Sequence, residues 1–341
     1  MNAPAQWELL GILGEGAMGM VHRARHRHTG QLAALKIIDP QPELGLSEVE
    51  VRARFQREVE LLERVRSRHV VQVYEAGELD DGRMWLAMEL VDGTALDTLL
   101  LVHGPLAPKR VMKLALDVAE ALADVHRAGL VHRDVKPGNV VVGKGPDGSE
   151  DAKLVDFGVA RALTAVAGRS VERLTMTGMV LGSLGYMAPE QSGGASDPGP
   201  TLDVYALGVT MYELAVGRLP FEGPTAAAFS MQHKSQPVPR LAKILGETRE
   251  VLALEAVVMR ALAKSPVVRQ ADGAALAREI RAALYVDPAV RATTERVKAR
   301  LAESARVAAV VPKRTLTKGR AAAFLAAALA LATMVWGVVK P

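Results

Sequence analysis

The apolar positions of this chain fall into a few spacings, each predicting a different element. Short, nearly continuous apolar runs predict strands. Met20–His26 and Leu32–Ile38 flank the turn His28-Thr29-Gly30-Gln31 as a hairpin with no helix between them. Val140-Val141-Val142 and Lys153-Leu154-Val155 form a second pair around the loop Gly143–Asp151. A helical spacing follows the first hairpin: within Ser47–Arg66, Val51, Phe55, Val59 and Leu62 recur at i, i+4, i+8 and i+11, and Val65 extends the stripe. Most charges of that stretch, Arg52, Arg54, Arg57, Glu60, Glu63 and Arg64, fall to solvent, whereas Glu58 stands beside the stripe, one residue before Val59. Near the end, Pro288–Val311 carries Val290, Val297, Leu301, Ala308 and Val311 toward one side of a helix. Ala321–Val339 is nineteen residues without a charge, interrupted by Thr333 and Gly337.

Composition narrows the chemistry. The chain has no cysteine, which excludes disulfides, thiolate catalysis and thiolate metal sites and suits a reducing interior. Its eight histidines are scattered without metal-ligand spacing. The cluster His22, His26, His28 alternates along the first hairpin and reads as exposed strand surface rather than a zinc site. Residues 286–320 hold nine Lys/Arg against three Asp/Glu, a local +6, so with a whole-chain charge of +4 the remainder carries −2. Basic character confined to one segment argues against a nucleic-acid partner. Met1–Leu10 has neither a basic cluster nor an apolar core, so no signal peptide is expected.

The candidate chemistry centres on His132-Arg133-Asp134-Val135-Lys136-Pro137-Gly138-Asn139, with Asp156-Phe157-Gly158 beginning seventeen positions after the asparagine. Two carboxylates and an amide on two short loops are what ATP-dependent phosphoryl transfer requires. Asp134 would face the accepting hydroxyl, while Asn139 and Asp156 would hold the magnesium (or manganese) that bridges the phosphates. Upstream, Leu13-Gly14-Glu15-Gly16-Ala17-Met18-Gly19-Met20-Val21 contains G-x-G-x-x-G, which alone would equally open a dinucleotide fold or be a plain glycine turn. A dinucleotide site wants a helix directly after the glycines. The hairpin here instead makes a flap whose backbone N–H groups approach phosphate without Cβ obstruction. Lys36 ends the small-apolar run Ala33-Ala34-Leu35-Lys36. A lone strand lysine is usually a surface charge; Glu58 on the following helix would instead pair with it and steer it onto the α- and β-phosphates.

With these motifs in hand, the chain resembles a eukaryotic-type (Hanks-type) protein kinase, and most closely the bacterial receptor-type serine/threonine kinases. The likeness runs over about residues 7–284 and continues through Gly182-Ser183-Leu184-Gly185-Tyr186-Met187-Ala188-Pro189-Glu190, Asp203-Val204-Tyr205-Ala206-Leu207-Gly208, Met211–Phe221 and Lys264-Ser265-Pro266 with Arg269. The resemblance implies an α+β, bilobal kinase fold: a β-rich N-lobe over about 7–90 with one major helix, and a mainly helical C-lobe over about 91–284. It implies an adenine pocket roofed by Leu13, Val21 and Ala34 and floored by Val141, with Met88 as gatekeeper and Glu89, Leu90 and Val91 as the hinge, and Gly14, Gly16 and Gly19 over the phosphates. It further implies a Glu190–Arg269 salt bridge, an internal stack of Leu62, His132 and Phe157, and Lys136 at the γ-phosphate, an arrangement similar to serine/threonine kinases. Ser183 stands where the family normally has threonine. Thr175 and Thr177, in a segment that also holds Thr164 and Ser170, resemble the autophosphorylated pair of bacterial receptor kinases. Phosphate there would order the segment against Arg133, with trans-autophosphorylation in a homodimer; unmodified loop threonines are the plain alternative.

The tail then reads as an anchor. Ala321–Val339 approaches the roughly 20 apolar residues a spanning helix needs. Lys313, Arg314, Lys318 and Arg320 before it would keep the kinase on the cytoplasmic face of the inner (plasma) membrane. Eight of the nineteen are alanine, so a buried or peripheral helix remains open. Residues 285–320 read as a basic juxtamembrane linker. The expected activity is MgATP-dependent phosphorylation of protein serines and threonines in bacterial signal transduction. The rivals are a pseudokinase scaffold and a small-molecule phosphotransferase of similar fold. Lys36, Asp134, Asn139 and Asp156 speak against the scaffold, and the Gly182–Glu190 and Asp203–Gly208 segments against the phosphotransferase.

Overall fold

The computed structural model describes residues 3–16, 19–38, 48–156, 181–193, 199–223 and 225–285. Met1–Tyr285 forms one compact unit. Its first part is a five-stranded antiparallel sheet of β1 (Trp7–Gly16), β2 (Gly19–His26), β3 (Leu32–Ile38), β4 (Val73–Glu78) and β5 (Met84–Glu89) in the order β1-β2-β3-β5-β4, with helix α1 (Glu48–Leu62) between β3 and β4. The first hairpin thus falls where its apolar runs predict. Helix α1 ends four residues before Arg66, the N–H of Val65 turning back to the Leu62 carbonyl at 3.0 Å.

Strand β3 explains the sheet. Its run Leu-Ala-Ala-Leu-Lys-Ile-Ile is covered on both faces, so alternation is replaced by near-continuous hydrophobicity. Ala33, Leu35 and Ile37 join Trp7, Ala24, Trp85 and Ala87 in one small core. Ala34 and Ile38 join the main core with Leu86, Met88 and the α1 residues Phe55, Val59 and Leu62. Lys36 lies on this second face, opposite Leu86 and Val21 in register. Gly19, where β2 begins, has φ +133, and a Cβ there would stand 1.9 Å from the Ile37 carbonyl oxygen. Only glycine lets the hairpin cross β3 so closely. His22 corrects the sequence reading: it is buried at 3% exposure because β2 turns it inward, while His28 is exposed and His26 packs edge-on against Trp7.

The second part is helical. Helices α2 (Leu96–His103), α3 (Pro108–Arg127), α4 (Thr201–Val216), α5 (Ala226–Ser235), α6 (Leu241–Leu245), α7 (Arg249–Ala261) and α8 (Gly273–Leu284) pack beside a small sheet of β6 (Thr94–Ala95), β7 (Val140–Lys144) and β8 (Glu150–Leu154). Strands β7 and β8 extend further toward their turn than the apolar runs suggest, because pairing continues through Gly143↔Asp151 and Lys144↔Glu150. Helix α3 shows Val111, Leu114, Ala115, Val118, Leu122 and Val125 on its buried stripe, with Pro108 at its start where no N–H is needed. Helix α4 is buried almost all round, as befits the centre of the lobe. The described residues therefore form a bilobal fold, a β-rich lobe and a helical lobe. Among them no helix is long and apolar enough to cross a membrane. The stretches 286–320 and 321–339 lie outside the described residues, so the candidate span and linker do too.

One buried imidazole in the helical lobe gives a pH prediction. His233 on α5 is 2% exposed, bonded through Nδ1 to the Tyr205 hydroxyl at 2.8 Å and set edge-on to Phe221. Burial, with the Lys264 ammonium nearby, pushes it down to about 4. A folded pKa below the unfolded value of about 6.5 means the stabilisation is present above that value and is lost as pH falls toward 4. Urea unfolding at pH 7.5 and 4.5 should show His233→Gln losing less stability on acidification than the parent, by on the order of 2–3 kcal/mol. Equal losses would show that His233 stays outside the acid transition.

Candidate active site

The loop from Leu130 to Asn139 connects α3 to β7 and is pinned from below by Asp203 on α4. That carboxylate is wholly buried and accepts the N–H of His132 at 2.7 Å and of Arg133 at 2.8 Å. His126, at the end of α3, completes the anchor. The Gly273 N–H donates to its Nδ1 at 3.1 Å, so Nε2 carries the proton and donates to Asp203 at 2.9 Å. These contacts hold Arg133 at φ 66, a left-handed conformation that side-chain-bearing residues avoid. His126 has no motif signal: it is a lone helix-end histidine whose partners lie 77 and 147 residues away.

Past that twist the loop presents Asp134. Its Oδ2 accepts Lys136 Nζ at 2.9 Å and Asn139 Nδ2 at 3.0 Å. The same amide also donates to the Asp134 carbonyl at 2.7 Å, so the loop closes on itself. Pro137–Asn139 is a single 3-10 turn, and Asn139 is buried at its end. The Val155 N–H then donates to the Asn139 carbonyl at 2.8 Å, joining the end of β8 to this loop. Asp156 follows with φ 58. His132 is buried and its Nδ1 accepts the Asp134 N–H at 3.3 Å, as a packed histidine would; Leu62 is buried as well. Phe157, Gly158, Thr164, Ser170, Thr175 and Thr177 lie outside the described residues, as do Ala17 and Met18 of the glycine flap.

Lys36 departs from its expected partner. Its ammonium, 10% exposed, is bonded to Asp156 rather than to Glu58. Glu58 is half-buried on α1, and burial pushes its carboxyl up, opposed by the fields of Arg133 and Arg57. A nearly buried ammonium needs a counter-charge, and the left-handed turn at Asp156 delivers one from the other lobe.

The residues expected around the adenine are spread over both sheets, mostly on their inner strands. Ala34 is opposite Met88 in register, Val21 is opposite Lys36, and Val141 is paired with Ala95 on the small sheet. Met88 is buried, Val21, Ala34, Val91 and Val141 are half-buried, and Leu13 is 50% exposed. Gly14 pairs with Val21, and Gly16 with Gly19, at the tip of the hairpin. The Glu89 N–H is already spent on the Gln72 carbonyl at 2.8 Å, and its carboxylate holds Lys153. Of the expected hinge groups, the Leu90 and Val91 N–H donors have no partner among the described residues.

Below the loop, Tyr186 ends the 3-10 segment Leu181–Tyr186 and donates to Glu213 of α4 at 2.5 Å. Burial, then the charge of Glu213, keeps this phenol protonated far beyond the ordinary range. Arg269 grips Glu190 through two bonds, of 2.6 and 2.8 Å, the predicted bridge. Chemically, the arrangement offers a carboxylate held by a lysine and an amide, a second carboxylate held by a lysine, and two hinge N–H donors without a partner among the described residues. Asn139 and Asp156 are hard oxygen donors of the kind magnesium prefers, so this donor set fits such an ion.

The sequence profile of the protein kinase domain matches residues 7–300. Serine/threonine-protein kinase pkn3 of Myxococcus xanthus is 35% identical, over 80% of this chain and 48% of that protein. PknD of Mycobacterium tuberculosis is also 35% identical, over 84% and 41%. PknB of Mycolicibacterium smegmatis is 36% identical, over 76% and 40%. The chain thus spans less than half the length of these curated relatives. In structure it is similar to the crystal structure of the Mycobacterium tuberculosis PknI kinase domain, with a TM-score of 0.60 and 30% identity over 82% of this chain and 96% of that one.

Proposed function

The chain belongs to the protein kinase family, and from that membership we propose that it transfers the γ-phosphate of ATP to serine and threonine hydroxyls of proteins. The observation that carries the reading is the Asp134 carboxylate, which accepts both Lys136 and Asn139 on one oxygen beside the strand end that bears Asp156. Asp134 orients the accepting hydroxyl and takes its proton, and Lys136 lies beside it to offset charge as the phosphoryl group moves. The Val91 N–H and the neighbouring hinge carbonyls bind the adenine. Lys36 exchanges its bond to Asp156 for the α- and β-phosphates, with Glu58 as its new counter-charge. Magnesium or manganese, held by Asn139 and Asp156, would neutralise the phosphate oxygens.

Incubation of the full chain with labelled ATP, magnesium and a generic basic protein is the direct test. Phosphate on serine and threonine of that protein is expected. Label on a small molecule only, or none at all with nucleotide still bound, would favour the phosphotransferase or the scaffold. Thr175 and Thr177 are read as the autophosphorylated switch, formed in trans between two copies, with Arg133 as its acceptor. The double Thr175→Ala, Thr177→Ala protein should keep a small fraction of parental activity on an exogenous substrate. Full activity would end that reading.

The uncharged stretch 321–339 after Lys313, Arg314, Lys318 and Arg320 supports a single-pass anchor with the kinase on the cytoplasmic side, serving signal transduction. Fractionation checks it: the full chain should pellet with membranes and resist high-salt wash, and recovery in the soluble fraction would rule the anchor out.

A further inference from the structure

His69 lies in the connection between α1 and β4, away from the loop that carries Asp134. Its side chain is 3% exposed. Nδ1 stands 3.0 Å from the Ala152 carbonyl on β8, a pure acceptor, so Nδ1 carries a proton and Nε2 is the nitrogen left to meet a cation. Nε2 faces two carboxylates of α3: Glu120 Oε2 at 3.4 Å and Asp117 Oδ1 at 3.9 Å. Asp117 and Glu120 are spaced i, i+3 and share one helix face. The Ala152 N–H donates to Asp117 Oδ2 at 3.0 Å, which turns the other oxygen toward the imidazole.

Ligand atoms of His69, Asp117 and Asp151 all lie within 4.8 Å of one another, and acceptors gathered so closely repel unless something positive lies between them. A proton on Nε2 answers this poorly, since 3.4 and 3.9 Å exceed the usual N–H···O range of about 2.7–3.2 Å. A metal ion answers it better. Donors about 2.0–2.1 Å from a tetrahedral ion stand roughly 3.3 Å apart. The neighbouring charges leave room for such an ion. Arg281 takes the other oxygen of Glu120, and Arg68 takes Asp151 at 2.8 Å. Asp117, whose carboxyl burial pushes up, has no arginine or lysine bonded to it among the described residues. The imidazole is also set as metal-bound histidines are, its far nitrogen fixed by a backbone carbonyl.

We propose that His69, Asp117 and Asp151 form a site for a divalent cation of the zinc class, with Glu120 beside it. The imidazole donor selects such an ion over magnesium or calcium. It would cross-link the α1–β4 connection to α3 and β8. The Leu154 N–H already bonds the His69 carbonyl at 2.8 Å, and β8 leads directly to Asp156.

The test uses the full chain carrying Asp156→Asn, which removes the carboxylate at the nucleotide site, stripped with a chelator and titrated with Zn2+ by calorimetry. One equivalent should bind, and Co2+ in its place should give visible d–d absorption. His69→Gln and Asp117→Asn should each weaken Zn2+ binding about 10-fold or more and abolish the cobalt band. Should either fail to fold, Asp151→Asn carries the test, because it removes the third donor and leaves the other two in place. No uptake, or the same affinity and cobalt spectrum in parent and variants, would overturn the site and leave an imidazolium–carboxylate cluster only.

Discussion

Asp134→Asn is expected to lower turnover on a protein substrate by roughly 10²–10⁴-fold, the usual contribution of a positioned general base. Binding of nucleotide should change little. The substitution keeps the size of the side chain but removes the carboxylate proposed to take the proton. It also sets an amide where two donors, Lys136 Nζ and Asn139 Nδ2, now converge on one oxygen. The groups proposed for adenine and phosphates, Val91, Met88 and Lys36, are on other elements and stay in place. The decisive measurement is paired: kcat with a protein substrate, and the rise in melting temperature on adding MgATP. A large fall in kcat with an unchanged thermal shift identifies a group acting in the transition state rather than in ground-state binding. Activity within a few-fold of the parent would remove Asp134 from the chemistry.

What could be read from the string and what could not divides along a physical line. Strand β3 was legible because its register is forced: two apolar faces leave one polar position, Lys36, and that position faces Leu86 and Val21. The loop bearing Asp134 and Asn139 was legible because its residues are close in sequence and closed by local bonds. Proximity to a helix stripe points Lys36 to Glu58. Which acid reaches a buried ammonium depends on how α1 sits against the sheet and on a left-handed backbone at Asp156, and neither leaves a periodic trace. His22 is buried against expectation for a related reason. Alternation fixes which residues share a face, not which face the rest of the protein covers. His126 was invisible, since its value lies in two bonds to distant segments, and the facing of His69 toward Asp117 and Glu120 is of the same kind.

The largest loss of stability is expected at Asp203, and it should take activity with it. This carboxylate is fully buried and satisfies three donors: the His132 and Arg133 amides and His126 Nε2. Asp203→Ala leaves those donors facing an apolar gap. Each buried unsatisfied group costs about 1–3 kcal/mol. Arg133 then also loses the bond that holds its φ of 66, a conformation costing on the order of 1–3 kcal/mol unless the surroundings impose it. Part of the strain relaxes as the loop rebuilds, so a net loss of roughly 3–5 kcal/mol is expected, a fall of about 6–20 °C in melting temperature at roughly 2–4 °C per kcal/mol. Relaxation of the loop is what destroys function, because Asp134 follows Arg133 directly and its direction is set by that twist. The two substitutions should therefore separate: Asp134→Asn melts near the parent and does not turn over, while Asp203→Ala loses both. If Asp203→Ala unfolds within a degree or two of the parent and retains its turnover, the loop is held by something other than α4, and the anchoring role given to this buried carboxylate is wrong.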